Sequence, residues 1–590
     1  MKNEFSLQNG KAIMNFSANY CTADEEVLSS IAFKKVLKKF FERYADEYTE
    51  NDRVLDAIFK SKEQEDRVEK FIELLKIFTI MDSETISNTY EKYENVYEYR
   101  NSLLNLVEEI YTYWRKIERY SIIYDNDGAN GISSSKFKET KEDFDKLILN
   151  LYRKISTNID MSQPTVFRQV AAGSNVCMIC KDIIWAIPDE YTHLTDISFV
   201  TKVVMDAPLI VYPKKNKRTG FFNEIMENPL KNSSIHSESF FAFPVKVGEL
   251  LAFVFCHKDF ITHMISLSNL FEIPKESEYM GKKPDIIVVM GAKSEDEEIK
   301  DSFYYDEEND IILGYIPSGE EYDYFGYMKK MMLTCHNVVQ INRGNLPIHG
   351  AMVNIVLKDG STANVVIVGD SGAGKSESIE AFRSLAEEHI ADMTVIFDDM
   401  GTFLMEDETV MSTGTEIGAF VRLDDLDAGY AFKELDRSIL MNPDKINARL
   451  IMPVSSYKEI SDHYKIDFFL YANNYTKVGK NENSISFFKN KEEAIEVFKS
   501  GKRVAKGTTQ EVGLTESYFA NPFGPMQRQE QTNVLLDQYF DEIFKENIKV
   551  GELFTQLSIK GKEKDGPEKA ALDLFKEINK LNKEKKNKSK

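Results

Sequence analysis

The sequence predicts an α/β fold in three parts. These are an α-helical domain over 1–160, an α+β region over 161–310 and a larger α/β domain over 311–580, followed by a lysine-rich tail, 581–590. Three observations predict it. Apolar residues recur at helical spacing from about Thr22 to Ile159, with no proline before Pro164. Prolines and short β-rich runs return from about Gln163. Beyond Asp310 the chain reads strand, loop, helix, strand repeatedly, around the stretch Gly369-Asp370-Ser371-Gly372-Ala373-Gly374-Lys375-Ser376.

The helical part is justified by three runs: Ile31, Val36, Leu37, Phe40 and Phe41; Val68, Phe71, Ile72, Leu75 and Phe78; then Leu103, Leu106, Val107, Ile110 and Tyr111. Lys and Glu fill the opposite faces, as an amphipathic helix requires. Residues 1–20 are polar and without pattern, and Asp125 to Ser135 reads as a flexible turn. The part reads as scaffold or oligomer contact, with a protein partner as the alternative. In the middle region the expected strands are Ile197 to Val204, Leu209 to Tyr212, Leu250 to Phe255 and Ile286 to Met290. Cys177-Met178-Ile179-Cys180 has no second pair to complete a zinc site, so both thiols are expected to be buried and ordinary. Tyr212 to Gly220 is a basic loop in an acidic chain, and Arg218 is its candidate anion contact. The tail from Lys580 to Lys590 is expected to be disordered.

Composition sets further bounds. A chain of 590 residues with 42% hydrophobic and 12% aromatic content supports large cores, in about two to four domains. A net charge of −22 argues against a nucleic-acid partner, because a polyanion needs a basic surface. No apolar run is long enough for a membrane span, and Met1 to Asn15 has no signal-like core. Five cysteines, Cys21, Cys177, Cys180, Cys256 and Cys335, suit a reducing cytoplasm better than a disulfide framework.

The stretch Gly369 to Ser376 fits the phosphate-loop pattern at every fixed position. Phosphate oxygens need several inward backbone N–H donors, and glycine lets the backbone curl closely enough to supply them. Asn364 to Val368 reads as a buried strand entering the loop. Ser376 to His389 reads as a helix leaving it, with Ile379, Phe382 and Leu385 on one face. The helix N-terminus adds partial positive charge. Lys375 would reach the β/γ-phosphates of a nucleotide, and the Ser376 hydroxyl would hold magnesium. Upstream lie Tyr324-Phe325-Gly326-Tyr327-Met328-Lys329-Lys330 and Leu346-Pro347-Ile348-His349. Downstream, Val395-Ile396-Phe397 reads as a strand ending in Asp398-Asp399, which would bring carboxylates to the metal at the sheet edge.

In this order the pieces resemble ATP-dependent phosphoenolpyruvate carboxykinases, in the superfamily shared with HPr kinase, over about residues 310–580. That family shows a Tyr-x-Gly-x-x-Lys-Lys run, a Leu-Pro-x-His element, the phosphate loop and a strand leading to Asp-Asp. Asn447-Ala448-Arg449 with Pro453 resembles its N-T-R…P element. Gly507 to Glu516 resembles G-T-E-x-G-x-T-E, and Phe519-Ala520-Asn521-Pro522-Phe523-Gly524 resembles F-S-A-C-F-G. The loop spelling, with Asp370-Ser371 and Glu377, is closer to HPr kinase, as is His349-Gly350.

The resemblance implies a P-loop nucleotide-binding domain with a mixed β-sheet and a site for ATP, Mg²⁺ and Mn²⁺. Lys330, His349 and Asp399 would ligate manganese. Asp398 and Ser376 would serve the magnesium that accompanies ATP. Lys329 and Lys375 would neutralise charge on the transferred phosphoryl group, and Tyr324 and Arg449 would position a small carboxylate substrate. The nucleotide would rest on Gly369, Asp370, Ser371, Gly372, Ala373, Gly374, Lys375, Ser376, Glu377 and Thr515. The implied reaction converts oxaloacetate and ATP to phosphoenolpyruvate, CO₂ and ADP. The sequence departs from the family in lacking its Arg-Ser-Pro-Lys element, for which Arg218 is a candidate substitute. It also has Tyr327 where the family has Glu, and Met400-Gly401 where it has Glu-His. Two alternatives stay open: a kinase acting on a protein or small-molecule hydroxyl, with Asp398 as base, and a non-catalytic nucleotide-binding protein.

Overall fold

The computed structural model describes residues 5–8, 11–15, 20–42, 50–59, 64–122, 137–162, 166–167, 176–205, 207–296, 298–370, 372–423, 426, 435–479, 481–506 and 512–588. The chain forms two compact units, Met1–Pro164 and Thr165–Lys590. The fold is mixed α/β, with several mixed sheets. No helix among the described residues is long and apolar enough to cross a membrane.

The first unit is built on helices. The longest are Ile31–Glu42, Gln64–Phe78, Arg100–Lys116 and Phe137–Asp160. Leu37, Phe40, Val68, Phe71, Phe78, Leu103 and Leu106 are buried together, so the three expected apolar faces form one core. Ile31 opens its helix and is exposed, and Val36 joins a second, smaller core. The unit also holds a sheet that the helical periodicity conceals. Phe5–Gln8 pairs antiparallel with Lys11–Asn15, which pairs parallel with Glu118–Ile122. The polar first residues thus contribute Phe5, Ala12 and Met14 to a small core of their own. The Asp125–Ser135 turn lies outside the described residues.

The second unit carries two large sheets. In the ten-stranded one, Ile286–Ser294 runs parallel to both Leu250–His257 and Ile311–Pro317. These strands are nearly all apolar and buried on both faces, as central parallel strands must be. The order of the eight-stranded sheet is Tyr464–Lys465, Thr409–Gly414, Ile390–Glu406, Leu346–Leu357, Thr362–Val368, Phe468–Asn473, Lys549–Phe554, Ile485–Phe487. Three neighbours, beginning with Thr362–Val368, are parallel, and the other pairs are antiparallel.

The helix Phe325–Asn342 packs against Ile311–Pro317 of one sheet and Leu346–Leu357 of the other. Such a helix must be apolar all round, and nearly every residue of it is buried. The polar groups it buries are therefore costly and informative. His336 is one. Burial holds its pKa down at about 4, and its Nδ1 donates to Asn337 Oδ1 at 3.0 Å. The unfolded chain takes the proton near pH 6.5 and the folded chain only near 4, so stability is complete above pH 6.5 and falls as pH drops towards 4. The loss is expected to reach about 3 kcal/mol. Urea midpoints at pH 7.5 and 4.5 check this: the gap should narrow in His336→Gln, and an equal gap in both proteins would exclude the assignment.

Three expectations are corrected. Residues 581–588 are not a disordered tail but the end of the helix Asp565–Lys588, held where Asn582 bonds the backbone of Thr362 and Lys585 meets Asp467 at 2.5 Å. The helix after the glycine-rich loop is two pieces, Lys375–Ser384 and Ala386–His389. Cys180 is exposed, because its strand Val176–Lys181 pairs on one side only and leaves Ile179, Cys180 and Lys181 towards solvent.

Candidate functional site

The stretch from Gly369 joins the strand Thr362–Val368 to the helix Lys375–Ser384, and its shape follows from its glycines. Gly372 and Gly374 have φ of +79° and +110°, which residues with a side chain rarely adopt. A Cβ on Gly374 would also come within 2.7 Å of the Thr555 hydroxyl. The loop's carbonyls are held from outside: Asn474 Nδ2 donates to Gly372 O at 2.9 Å, and Thr555 Oγ1 to Ala373 O at 3.1 Å. Asn474 also exchanges two hydrogen bonds with the backbone of Val504. Gly374→Ala is expected to cost about 1–3 kcal/mol, from positive-φ strain plus the Thr555 clash. Thermal unfolding checks it; an unchanged melting temperature would mean that the loop takes another shape.

The centre of the site is Asp399. Lys330 Nζ lies 2.5 Å from its Oδ2 and Lys329 Nζ 2.9 Å, while His349 Nε2 lies 2.9 Å and Lys375 Nζ 3.6 Å from its Oδ1. Lys329 meets a second carboxylate, Glu416 Oε1, at 3.0 Å. Four regions meet here: the start of the Phe325–Asn342 helix, the strand Leu346–Leu357, the glycine loop and the strand Ile390–Glu406. The strand does not end at the aspartates as the sequence suggested; it runs on for seven residues as a central member of its sheet. Asp399 is presented from within it by two irregularities: a bulge between Val395 and Phe397, opposite Met352 and Val353, and its own φ of +130°. Bulges re-aim side chains in this way, and backbone strain of this kind concentrates at functional sites.

The electrostatics follow from burial and charge count. Asp399 would be pushed up by burial, yet the charges of Lys329, Lys330 and Lys375 outweigh that and hold its pKa well below the usual carboxylate range. Burial also opposes the charge on Lys329, but Asp399 and Glu416 together raise its pKa. Lys330 has one carboxylate and a cationic neighbour, so burial prevails and its pKa falls to about 8. Burial raises Glu416 to about 7. Adjacent lysines on one helix turn thus differ: Lys329 is a fixed ammonium, whereas Lys330, still charged at pH 7, gives up its proton far more readily.

His349 tests whether these residues suit a metal. Burial and then Lys375 lower its pKa, so the imidazole is neutral near pH 7. Its Nδ1 lies 2.6 Å from the Ala520 carbonyl and must carry the proton. Nε2 therefore turns a bare lone pair towards an Asp399 oxygen 2.9 Å away. Two lone pairs so placed repel, and a cation held by both removes the conflict. No three His, Cys, Asp or Glu side chains among the described residues gather as a metal site. The set here is one imidazole, one carboxylate and one amine able to lose its proton, and it fits a transition metal.

Around this centre stand two aromatic rings. Phe420 lies under the guanidinium of Arg449 at 5.1 Å and near Lys329 Nζ at 5.7 Å, with the Tyr324 ring 6.1 Å away. Phe523 lies under Lys330 Nζ at 4.5 Å, with the guanidinium of Arg218 at 5.6 Å and the His349 ring at 5.9 Å. Arg218 therefore does reach the site. Its loop is carried there by backbone bonds from Lys214 to Asp323 Oδ2 at 2.9 Å and from Thr219 to the Tyr327 hydroxyl at 3.3 Å.

Asp398 is half-buried, in register with Ala351. Glu377 lies in the first turn of its helix. Thr515 Oγ1 donates to the backbone of Arg503 across a two-stranded ribbon, at 3.3 Å. Ser371, the Ser376 side chain and residues 507–511 lie outside the described residues. Sequence reasoning missed Glu416, Phe420, Arg503 and Asn474. Arg503, itself buried, pairs with the loop's Asp370 at 3.2 Å.

No protein-family model matches the chain, and no curated protein matches it in sequence.

Proposed function

We propose that the unit Thr165–Lys590 binds ATP and transfers its terminal phosphoryl group in a reaction of the phosphoenolpyruvate carboxykinase type, from oxaloacetate and ATP to phosphoenolpyruvate, CO₂ and ADP. The observation that supports it is the meeting of Lys330, His349 and Asp399 beside Lys375 of the glycine loop. Lys330, His349 and Asp399 would hold Mn²⁺, and Asp398 and Ser376 would serve the Mg²⁺ of the nucleotide. Bound there, the metals would supply Lewis acidity at the substrate and phosphoryl oxygens.

The protein's own groups do the rest. Lys375 is buried with no hydrogen-bond partner for its ammonium, and β- and γ-phosphate oxygens would provide one. Lys329, fixed as an ammonium, stabilises the negative charge that decarboxylation leaves on the enolate and that phosphoryl transfer then moves. Arg449 offers a planar fork to a carboxylate, and Tyr324 packs beside it. Arg218, on the opposite ring, takes the part of the arginine element absent from the sequence. Phe420 and Phe523 keep water from the enolate, which would otherwise be protonated to pyruvate.

A coupled assay with oxaloacetate, ATP, Mg²⁺ and Mn²⁺ tests this. Phosphoenolpyruvate should form, and His349→Ala should lower its rate at least about 100-fold, in line with the loss of a metal ligand. ATP binding without phosphoenolpyruvate would exclude the carboxykinase reaction. One observation favours a second reading. Tyr327 stands where the resemblance has Glu, and its hydroxyl holds the Arg218 loop, so the acceptor pocket differs. The alternative is transfer to a protein or small-molecule hydroxyl with Asp398 as base, which ATP consumption dependent on an added acceptor would reveal.

A further inference from the structure

Asn337 is fully buried on the Phe325–Asn342 helix, seven residues and so two turns beyond Lys330. Its Nδ2 donates to the Phe523 carbonyl at 2.6 Å and reaches Met400 Sδ at 3.3 Å. It thus ties together the helix that carries both lysines, the strand one residue past Asp399, and the turn Tyr518–Gly524. The turn is held from its own side too: Asn521 Oδ1 accepts from Phe523 N at 3.1 Å, and Asn521 Nδ2 reaches the same sulfur at 3.7 Å. Gly524, with φ of +98°, sits against Asn337, where a Cβ would come within 2.5 Å of the Asn337 Cβ.

The turn needs this hold. Phe519 and Ala520 have φ of +53° and +50°, consecutive left-handed residues of a kind that L side chains adopt only when surroundings fix them. This strained pair aims the Ala520 carbonyl at His349 Nδ1. Three residues on, the same turn sets the Phe523 ring beneath Lys330. We infer that Asn337, through its bond to Phe523, is a positioning residue that holds the Ala520 carbonyl against His349 Nδ1, so that a proton stays on that nitrogen and Nε2 is the side of the imidazole turned to Asp399.

The test reads the tautomer directly, in metal-free full-length protein labelled with ¹⁵N-histidine, by two-bond ¹H–¹⁵N correlation, with His349→Gln assigning the signal. The wild type should show His349 protonated at Nδ1. Asn337→Leu, close in volume but without a donor, should shift the tautomer ratio at least threefold towards the Nε2–H form. It should also weaken Mn²⁺ binding about tenfold or more, as loss of a partner behind a ligand does. A lower melting temperature with an unchanged tautomer ratio would overturn the inference, as would a wild-type His349 protonated at Nε2. Should Asn337→Leu fail to fold, Asn521→Ala cuts the same strap from the turn and carries the same expectation. The Mn²⁺ arm rests on the proposed metal site: a wild type that takes no Mn²⁺ would remove that proposal and leave the tautomer result to decide this one.

Discussion

Lys375→Met should lower phosphoryl transfer about 100- to 1,000-fold or more, the scale on which a single donor to developing charge acts, while leaving stability almost unchanged. The two halves of the prediction have one cause. The Lys375 ammonium is buried, 3.6 Å from Asp399, with no hydrogen bond of its own. Asp399 does not depend on it, since Lys329, Lys330 and His349 are all closer. Burying a charge with poor pairing is costly, so an apolar side chain of similar length should cost nothing and could stabilise. Turnover and urea unfolding of the same preparation decide the matter. A marked loss of stability would make Lys375 a structural cation.

Asp399→Asn should do the opposite and destabilise the second unit by about 3–5 kcal/mol, the cost of stranding buried charges. Lys329 is 1% exposed, and it would keep only Glu416 as a counter-ion. Lys330 and Lys375 would keep none of the ion pairs seen here. Asparagine preserves shape and is among the residues that best tolerate positive φ, so the variant isolates the charge. The sign with pH is fixed by the lowered pKa of Asp399. The carboxylate's contribution is present above the unfolded-state value near 4 and is lost as pH falls through the lower folded value. The stability gap between wild type and variant should therefore be full at pH 6–7 and shrink below about pH 4. A gap that does not change with pH would assign the loss to packing.

Much of this site was legible because its residues sit in short ordered runs. The glycine loop, the lysine pair and His349 each belong to a motif with a mechanism, and the structure brings them to one carboxylate. What was illegible has physical reasons. Glu416, Phe420 and Arg503 act from other elements, and nothing about a single Glu or Phe announces which lysine it will meet. The continuation of the strand past Asp399 depends on a bulge and a positive φ, which a period-two reading cannot register. Fold class was read from periodicity, and that succeeds where one face is buried, as in Gln64–Phe78. It failed at Phe5–Asn15, where strands of four and five residues are too short to show a pattern, and at 581–588, where a lysine-rich run that looks unfit for structure is held by Lys585 on Asp467 and by Asn582 on the Thr362 backbone.

The helix Asp565–Lys588 buries Ala570, Ala571, Leu574 and Phe575 in the core that also holds Ile379 and Phe382 of the helix leaving the glycine loop, and the rings of Phe382 and Phe575 lie 5.9 Å apart. About 180 residues separate the two helices, which at about 5–20 residues per second is about nine to thirty-six seconds of synthesis. For that interval the helix leaving the glycine loop packs on its own sheet but lacks its later partner. The core beneath the loop's helix is complete only once the later helix has been translated and has docked.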